Sequence, residues 1–276
     1  MNLFVLLLVL AVRRLDIGWT KSWVAEDRVQ RRLVSVVAWG RDKNKSQSVV
    51  WLLAVLVPVL VWVWLRAALP SGLGYVVDAV LLLWLLGAES EFRYLTSLIQ
   101  RIRMRDIAQL EAQAKLHFGI EATSEDEGYL NQLSHRALMK SAEGTFAVLF
   151  WFFLCGTWGS LLYALNYALA QSFERGSLPE LLHKLLVWLP QRLLLVAMAL
   201  AGSFRGATDK SARYWWQLDG QALLLAAIPD GLDLPRDMPT AFLERAKVQL
   251  IALEGLLNRC LALWLIVGVL WWVLFS

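Results

Sequence analysis

The sequence has few of the residues that build catalytic and metal centres: two cysteines and three histidines among 276 residues. Cys155 and Cys260 each lie in or beside an apolar run, without a CxxC spacing or a histidine close by in sequence. They therefore predict neither a disulfide framework nor a zinc site. The histidines are isolated, so no His/Asp/Ser or His/Cys order suggests a catalytic group, and the sequence has no GxxxxGK[ST] phosphate loop. We expect no metal, no cofactor and no nucleic-acid partner, and the motifs identify no catalytic residue.

Charged residues are also scarce, at 18% of the chain, whereas 58% of residues are hydrophobic and 15 are tryptophan. This composition argues against an ordinary soluble domain and indicates a membrane protein. A spanning helix needs about 20 apolar residues, because unsatisfied backbone groups cannot lie in hydrocarbon. The runs that fit or nearly fit are 49–69, 73–88, 145–170, 185–204 and 257–275. The sequence therefore predicts an all-α fold, a polytopic membrane helix bundle of about five spanning helices in a single domain, residues 1–276.

The opening run, MNLFVLLLVLAV, is too short for a full span. Its positive charges, Arg13 and Arg14, follow the run rather than precede it, and no small-residue cleavage site appears. We therefore expect the run to be retained as a short membrane-inserted helix rather than removed as a signal peptide.

The distribution of lysine and arginine predicts the orientation. Cytoplasmic loops of membrane proteins carry an excess of these residues. Three segments, 13–45, 93–143 and 205–258, hold nearly all of them. The exceptions are Arg66, Arg175, Lys184 and Arg192, together with Arg259 at the border of the last run. We expect the three basic segments to be cytoplasmic and the C-terminus to lie on the opposite side of the membrane.

The cytoplasmic segments carry helical patterns. The apolar spacing in 97–119 predicts one basic amphipathic helix, and Ser124 with Glu127 is a candidate capping box for a helix that runs into the third span. A further helix, beginning at Thr240, is predicted to run into the last span. The stretch IPDGLDLPRDMP before it is rich in Pro, Gly and Asp and predicts a loop.

Arginines form a basic patch at the predicted cytoplasmic surface. Its members are Arg93, Arg101, Arg103 and Arg105, which Glu89, Glu91 and Asp106 oppose. Adhesion to anionic lipid headgroups is the default interpretation, and a phosphate-bearing ligand would use the same charges.

The third run, 145–170, contains unusual residues for a lipid-facing helix. Gly156 and Gly159 are three apart, which favours close helix packing over a site, and Asn166 needs a partner inside a bundle. Asn166 is either a link between helices or a ligand contact. Tryptophans near the ends of runs are predicted interfacial anchors. These are Trp51, Trp64, Trp271 and Trp272.

The fourth run, 185–204, is interrupted by Pro190 and Arg192. An arginine at bilayer depth costs about 2.5 kcal/mol or more unless it is paired or hydrated. Three interpretations remain open: Arg192 snorkels to the surface, it ends a shorter span, or it lines a polar cavity. In the last case Asp78, in the second run, is its most economical partner.

At these motifs the sequence resembles a known family. LFWFFLCGTWGSLLYALNYAL and VWLPQRLLLVAMALAG, with NLFVLLLVL and FRYL, resemble the AmpE family of bacterial inner-membrane proteins, whose members are encoded beside the AmpD amidase. The resemblance implies an inner-membrane location and a role in AmpC β-lactamase induction and peptidoglycan recycling. In that membrane, the orientation predicted from the lysine and arginine distribution places the C-terminus in the periplasm. More distantly, AmpE is similar to the membrane cobinamide-phosphate synthases, which join an amino-alcohol phosphate to a corrinoid carboxylate.

The synthase pattern is only partly retained. LMKSAEGTFAVLFW has Glu143 where the pattern has Asp and lacks its Glu-Asn pair. YALNYAL retains Tyr163 and Asn166, with alanines at the Arg and Asp positions, and WLPQRL retains Pro190 and Arg192. Most groups that could activate a carboxylate are thus replaced, and this argues against enzymatic activity.

Two functions follow from these patterns. The first is a non-catalytic signalling modulator that binds a ligand or lipid in its bundle. The second is a membrane enzyme related to cobinamide-phosphate synthase, acting on a phosphate-bearing or lipid-linked substrate. The expected partners are membrane lipids, a small anionic or lipid-linked ligand and a second copy of the chain. The ligand-binding candidates are Arg192, Asn166, Glu143, Asp78 and Tyr163.

Overall fold

A computed structural model describes residues 5, 9, 47–86, 91–120, 127–170, 176–202, 211–218, 220–232, 234, 239 and 241–275. This part of the chain is 89% helical and contains no strand, which confirms the all-α prediction. Val5 and Val9 of the opening run are helical and buried. The rest of that run, the basic segment 13–45 and the capping residue Ser124 lie outside the described residues.

Four described helices are long and apolar enough to cross a membrane. They are Val49–Ala68, Gly128–Cys155, Leu178–Ala201 and Phe242–Leu270, and Gly72–Leu86 is a shorter apolar helix. Their outward faces are apolar as well, with Leu60 63% exposed and Val267 62% exposed. Such faces are expected where lipid replaces water as the solvent. The chain therefore has the helices of a membrane protein.

The chain divides into two compact units. Unit 1 comprises Met1–Glu89 and Glu143–Leu189, and unit 2 comprises Ser90–Ala142 and Pro190–Ser276. Each unit is therefore assembled from segments that are distant in sequence.

From residue 47 onward, unit 1 contains a helical hairpin. Helix α1, Gln47–Trp51, continues through a π-helical turn, Leu52–Leu56, into α2, Val57–Ala68. Leu69 then turns to an extended conformation, as the residue before a proline is driven to do, and α3 follows at Ser71–Leu86. An apolar cluster ties this hairpin to a later helix of the unit. Its buried members are Val50, Ala54, Val55, Val59, Leu81, Leu161, Leu165 and Leu169.

The predicted single span at 145–170 is wrong. A helix ends at Cys155 and a new one, α8, runs from Thr157 to Ala170, because Gly156 adopts φ 74° and ψ −159°. Only glycine reaches this region without strain. The Ser160 hydroxyl donates to the Val148 carbonyl at 3.0 Å, so α8 folds back along the preceding helix.

The helix before Gly156 begins far upstream. Helix α6, Glu127–Ser141, continues through a π-helical turn, Ala142–Phe146, into α7, Ala147–Cys155. This confirms the prediction that the helix after the capping box runs into the third span. Helix α9, Leu178–Ala201, then carries Pro190 inside it.

Unit 2 contains α4, Glu91–Arg103, and α5, Ile107–Phe118. The prediction of one helix over 97–119 is wrong, because Arg105 has φ 57° and the Asp106 carboxylate caps the next helix by accepting from the Gln109 amide at 3.1 Å. A short 3-10 turn, Ala212–Tyr214, precedes α10, Gly220–Gly231. The first residues of the predicted IPDGLDLPRDMP loop therefore end a helix.

The last helix, α11, runs without a break from Phe242 to Phe275. This confirms the prediction that the helix near Thr240 leads directly into the last span. Its inner face is fully buried at Leu250, Leu253 and Leu257. The Thr96 hydroxyl of α4 donates to the Glu254 carboxylate, which joins these two helices of unit 2.

Candidate functional site

Asp78 is the centre of a polar network in unit 1. Its carboxylate accepts from Arg66 Nε at 2.9 Å and from the Thr157 hydroxyl at 2.7 Å. The Thr157 oxygen in turn accepts from Trp62 Nε1 at 3.2 Å. The Asp78 side chain is 9% exposed and that of Arg66 is 30% exposed. The network provides hydrogen-bond donors and a countercharge for a carboxylate on an apolar helix, and it links α2, α3 and α8.

Gly74 allows Arg66 to reach Asp78. A Cβ atom at Gly74 would lie 2.3 Å from an Arg66 guanidinium nitrogen, so a larger residue would displace the guanidinium. Arg66 also lies over the Tyr75 ring, 5.4 Å from its centroid. Sequence reasoning missed this pair and suggested Arg192 for Asp78. The signal was present, because Arg66 and Asp78 flank the Pro70 turn, and a tight turn brings two antiparallel helices side by side.

Asn166 is fully buried on α8. Its side-chain oxygen accepts from Trp51 Nε1 at 2.7 Å, so Trp51 acts as a hydrogen-bond donor inside unit 1. Among the residues that the structure describes, the Asn166 amide nitrogen has no hydrogen-bond partner. The asparagine is thus a link between helices, as one interpretation predicted, and its NH2 group remains as an unused donor.

Tyr163 lies one helical turn before Asn166 and is also fully buried. Its hydroxyl donates to the Glu143 backbone carbonyl at 2.8 Å. The ring stacks on Tyr167, with 6.2 Å between centroids, and both rings contact His183 of α9. The structure therefore brings together three of the predicted candidates, Tyr163, Asn166 and Glu143, around α8.

Trp151 compensates for Pro190. Proline has no backbone N–H, so the carbonyl four residues earlier, that of Leu186, loses its helical donor. Trp151 Nε1 donates to that carbonyl at 3.1 Å. The proline that sequence analysis assigned to helix packing is thus accommodated within a continuous helix. Gly159 has a packing role, because a Cβ there would lie 2.5 Å from Cys155 Cβ.

Arg192 lies in unit 2 and is 2% exposed. Its guanidinium donates to the backbone carbonyls of Trp215, at 2.8 Å, and Gln217. These bonds hold the segment before α10 against α9. Gln191 lies against the first residue of α10, where a Cβ at Gly220 would meet the Gln191 side-chain oxygen. Each of Arg192 and Asp78 therefore has partners within its own unit.

The basic patch lies at the end of α4. Arg103 and Arg105 are exposed and Arg101 is partly exposed. The side chain of Arg93 lies outside the described residues. Among the residues that the structure describes, His, Cys, Asp and Glu form no group of three that could hold a metal ion.

These observations define a helical membrane protein with buried polar residues on α3 and α8 in one unit and a buried arginine, Arg192, in the other. The chain is similar to the cobalamin biosynthesis protein CobD of Stutzerimonas stutzeri (strain A1501), with 30% identity over 179 residues. The match covers 62% of this chain and 58% of that protein, so the chain spans little more than half of its relative. No family model and no solved structure matches the chain.

The similarity supports a distant relationship to the cobinamide-phosphate synthases. It gives no support to the AmpE resemblance or to the regulatory role that this resemblance implied, and both stay predictions.

Proposed function

We propose that this chain acts in the membrane on a phosphate-bearing or lipid-linked substrate, as a relative of the cobinamide-phosphate synthases, and that unit 1 holds the substrate. The observation that carries the proposal is the 30% identity to CobD over 179 residues. The proposal takes the second of the functions that the sequence suggested, because the comparison favours it over signalling.

The geometry of unit 1 supports this assignment. Tyr163 and Asn166, which match the synthase pattern, are both fully buried and held by specific hydrogen bonds. Side chains fixed in this way are suited to orient a substrate, since little rotamer freedom is left to lose on binding. Asn166 is the residue we propose to contact the substrate, with Trp51 as its positioning residue.

The proposed location is the bacterial inner membrane, with the basic segments in the cytoplasm, the C-terminus in the periplasm and lipids around the apolar faces. A reporter fused after Ser276 should then be periplasmic, and one inserted at Asp233 should be cytoplasmic. A periplasmic signal from the Asp233 insertion would overturn this orientation.

Complementation tests the synthase relationship. A bacterial host that lacks its own cobinamide-phosphate synthase and needs cobalamin for growth is supplied with this chain. We expect the wild-type chain to restore growth and Asn166→Ala to fail at equal protein levels in the membrane. Trp51→Phe, which removes the donor to Asn166, should grow more slowly. Trp64→Phe is the matched control, because Trp64 is 72% exposed on the same continuous helix.

A wild-type chain that is inserted but restores no growth would overturn the synthase proposal. Measuring AmpC induction in a strain deleted for this chain tests the regulatory alternative separately, because a loss of induction would favour that role.

A further inference from the structure

Within the part of unit 1 that the structure describes, three buried side-chain atoms have no hydrogen-bond partner: Nδ2 of Asn166 on α8, Oγ of Ser177 just before α9, and Nδ1 of His183 on α9. A buried donor or acceptor without a partner is costly, and most native structures avoid it. Two of these three atoms belong to side chains close to Tyr163, since the His183 ring stacks on the Tyr163 ring and Asn166 lies one helical turn after it. This proximity indicates that one partner binds there.

The orientation of the asparagine is fixed by its neighbour. The indole Nε1–H of Trp51 can only donate, so the atom 2.7 Å from it is the side-chain oxygen of Asn166. The amide NH2 group is therefore the part that lacks a partner, and it can only donate. Whatever binds there must supply an acceptor.

The ring of His183 is also held in place. It contacts Tyr163, with 6.2 Å between centroids, and Tyr167, with 5.6 Å. The imidazole therefore has two aromatic neighbours, and its Nδ1 has no partner within the described part of the chain. In a neutral imidazole protonated at Nε2, Nδ1 is an acceptor.

The described residues of unit 1 include two ion pairs. Lys184 pairs with Glu180 at 2.9 Å, and Arg66 pairs with Asp78. An ionised ligand group would need a countercharge to leave water, so a neutral polar group fits these atoms better. A carboxamide offers both a carbonyl acceptor and N–H donors, which complement a donor at Asn166 and an acceptor at His183.

We propose that Asn166 and His183 form a subsite that binds a neutral carboxamide group of an amphipathic ligand, with the rings of Tyr163 and Tyr167 beside it. The subsite rests on the proposed function only in that unit 1 holds the substrate. It assigns to His183 a binding role that the sequence did not indicate.

The test uses the full chain in lipid nanodiscs, with octanamide as the probe and octanoate as a probe of the same chain length that carries a charge. Isothermal titration measures both dissociation constants. We expect octanamide to bind the wild-type chain about tenfold more tightly than octanoate does.

Variants separate the two contacts. Asn166→Asp keeps an acceptor for Trp51 but replaces the NH2 donor, and it should weaken octanamide binding about tenfold. His183→Phe keeps a ring beside the tyrosines, removes the nitrogens and should have a similar effect without depending on the folding of a buried aspartate. Tyr129→Phe is the control, because it removes a buried hydroxyl of unit 2 that also has no partner among the described residues. It should leave octanamide binding unchanged.

Octanamide binding that is absent, or equal in the wild type and in His183→Phe, would overturn the subsite and leave an internal water as the partner of these atoms. The assay involves no cobalamin chemistry. Failed complementation with intact, His183-dependent octanamide binding would therefore refute the synthase proposal and retain the subsite.

Discussion

Asp78 and Arg192 are both buried charges on apolar helices, and they are compensated in different ways. Asp78 has side-chain partners, Arg66 and Thr157, on neighbouring helices of unit 1. Arg192 has backbone partners, the carbonyls of Trp215 and Gln217, in unit 2. Side-chain partners can be changed by mutation one at a time. Backbone carbonyls stay in place, so removing Arg192 leaves them unpaired.

The largest effect is expected at Arg192. Arg192→Leu leaves the carbonyls of Trp215 and Gln217 without this donor, which should lower the free energy of unfolding by about 2 to 6 kcal/mol, at about 1 to 3 kcal/mol for each carbonyl. Arg192→Lys should lose less, because one ammonium can still donate. Steric trapping in bicelles measures the difference. An unchanged stability in the leucine variant would show that these bonds contribute nothing.

The next effect concerns Arg66 and Asp78. Arg66→Leu leaves a buried carboxylate with only its Thr157 partner, and should cost about 2 to 3 kcal/mol, less than breaking a fully buried pair because the Arg66 side chain is 30% exposed. The double variant Arg66→Leu/Asp78→Leu should be more stable than Arg66→Leu alone. Unfolding titrations of the wild type, the two single variants and the double variant complete a double-mutant cycle. Strictly additive losses of unfolding free energy would refute the pairing.

A smaller effect is expected at Trp151. Trp151→Phe removes the donor to the Leu186 carbonyl and should cost about 1 kcal/mol. In the Pro190→Ala background the same change should cost almost nothing, because alanine supplies the backbone N–H that proline lacks. Thermal unfolding in one detergent compares the four combinations. Equal losses in both backgrounds would mean that Trp151 stabilises the fold only by packing.

The smallest effect on stability is expected at the basic patch. Charge reversal of Arg103 and Arg105 to Glu should change the free energy of unfolding by less than about 0.5 kcal/mol, because both side chains are exposed. Native mass spectrometry should nevertheless find fewer phosphatidylglycerol molecules retained than by the wild type, with phosphatidylcholine unaffected. Equal phosphatidylglycerol retention would identify the patch as ordinary solvated surface.

The sequence predicted the long helices well, because apolar length and periodicity depend on local residues alone. The breaks were harder to predict. Gly156 lies within an apolar run, where a glycine that ends a helix looks the same as one that lets helices pack closely. The left-handed Arg105 has no signal in a basic amphipathic pattern.

The site was predicted in part for a related reason. The sequence alone indicates that Asn166 needs a partner, since the polar groups of an amide in an apolar run must form hydrogen bonds. The sequence does not identify Trp51 as that partner, because a tryptophan at the end of a membrane helix is already explained as an interfacial anchor. The Arg66–Asp78 pair required knowing that α2 and α3 form a hairpin.

The distance in sequence between Arg192 and its partners affects how the chain is made. Gln217 leaves the ribosome 25 residues after Arg192. At about 5 to 20 residues per second, this is a delay of roughly 1 to 5 s. During that interval the nascent helix carries a charge without these carbonyls, so it must stay hydrated or within the translocon. All residues of unit 1 have been synthesised by then, since they end at Leu189. During biogenesis unit 1 can therefore fold while Arg192 of unit 2 still lacks the backbone carbonyls that accept its hydrogen bonds.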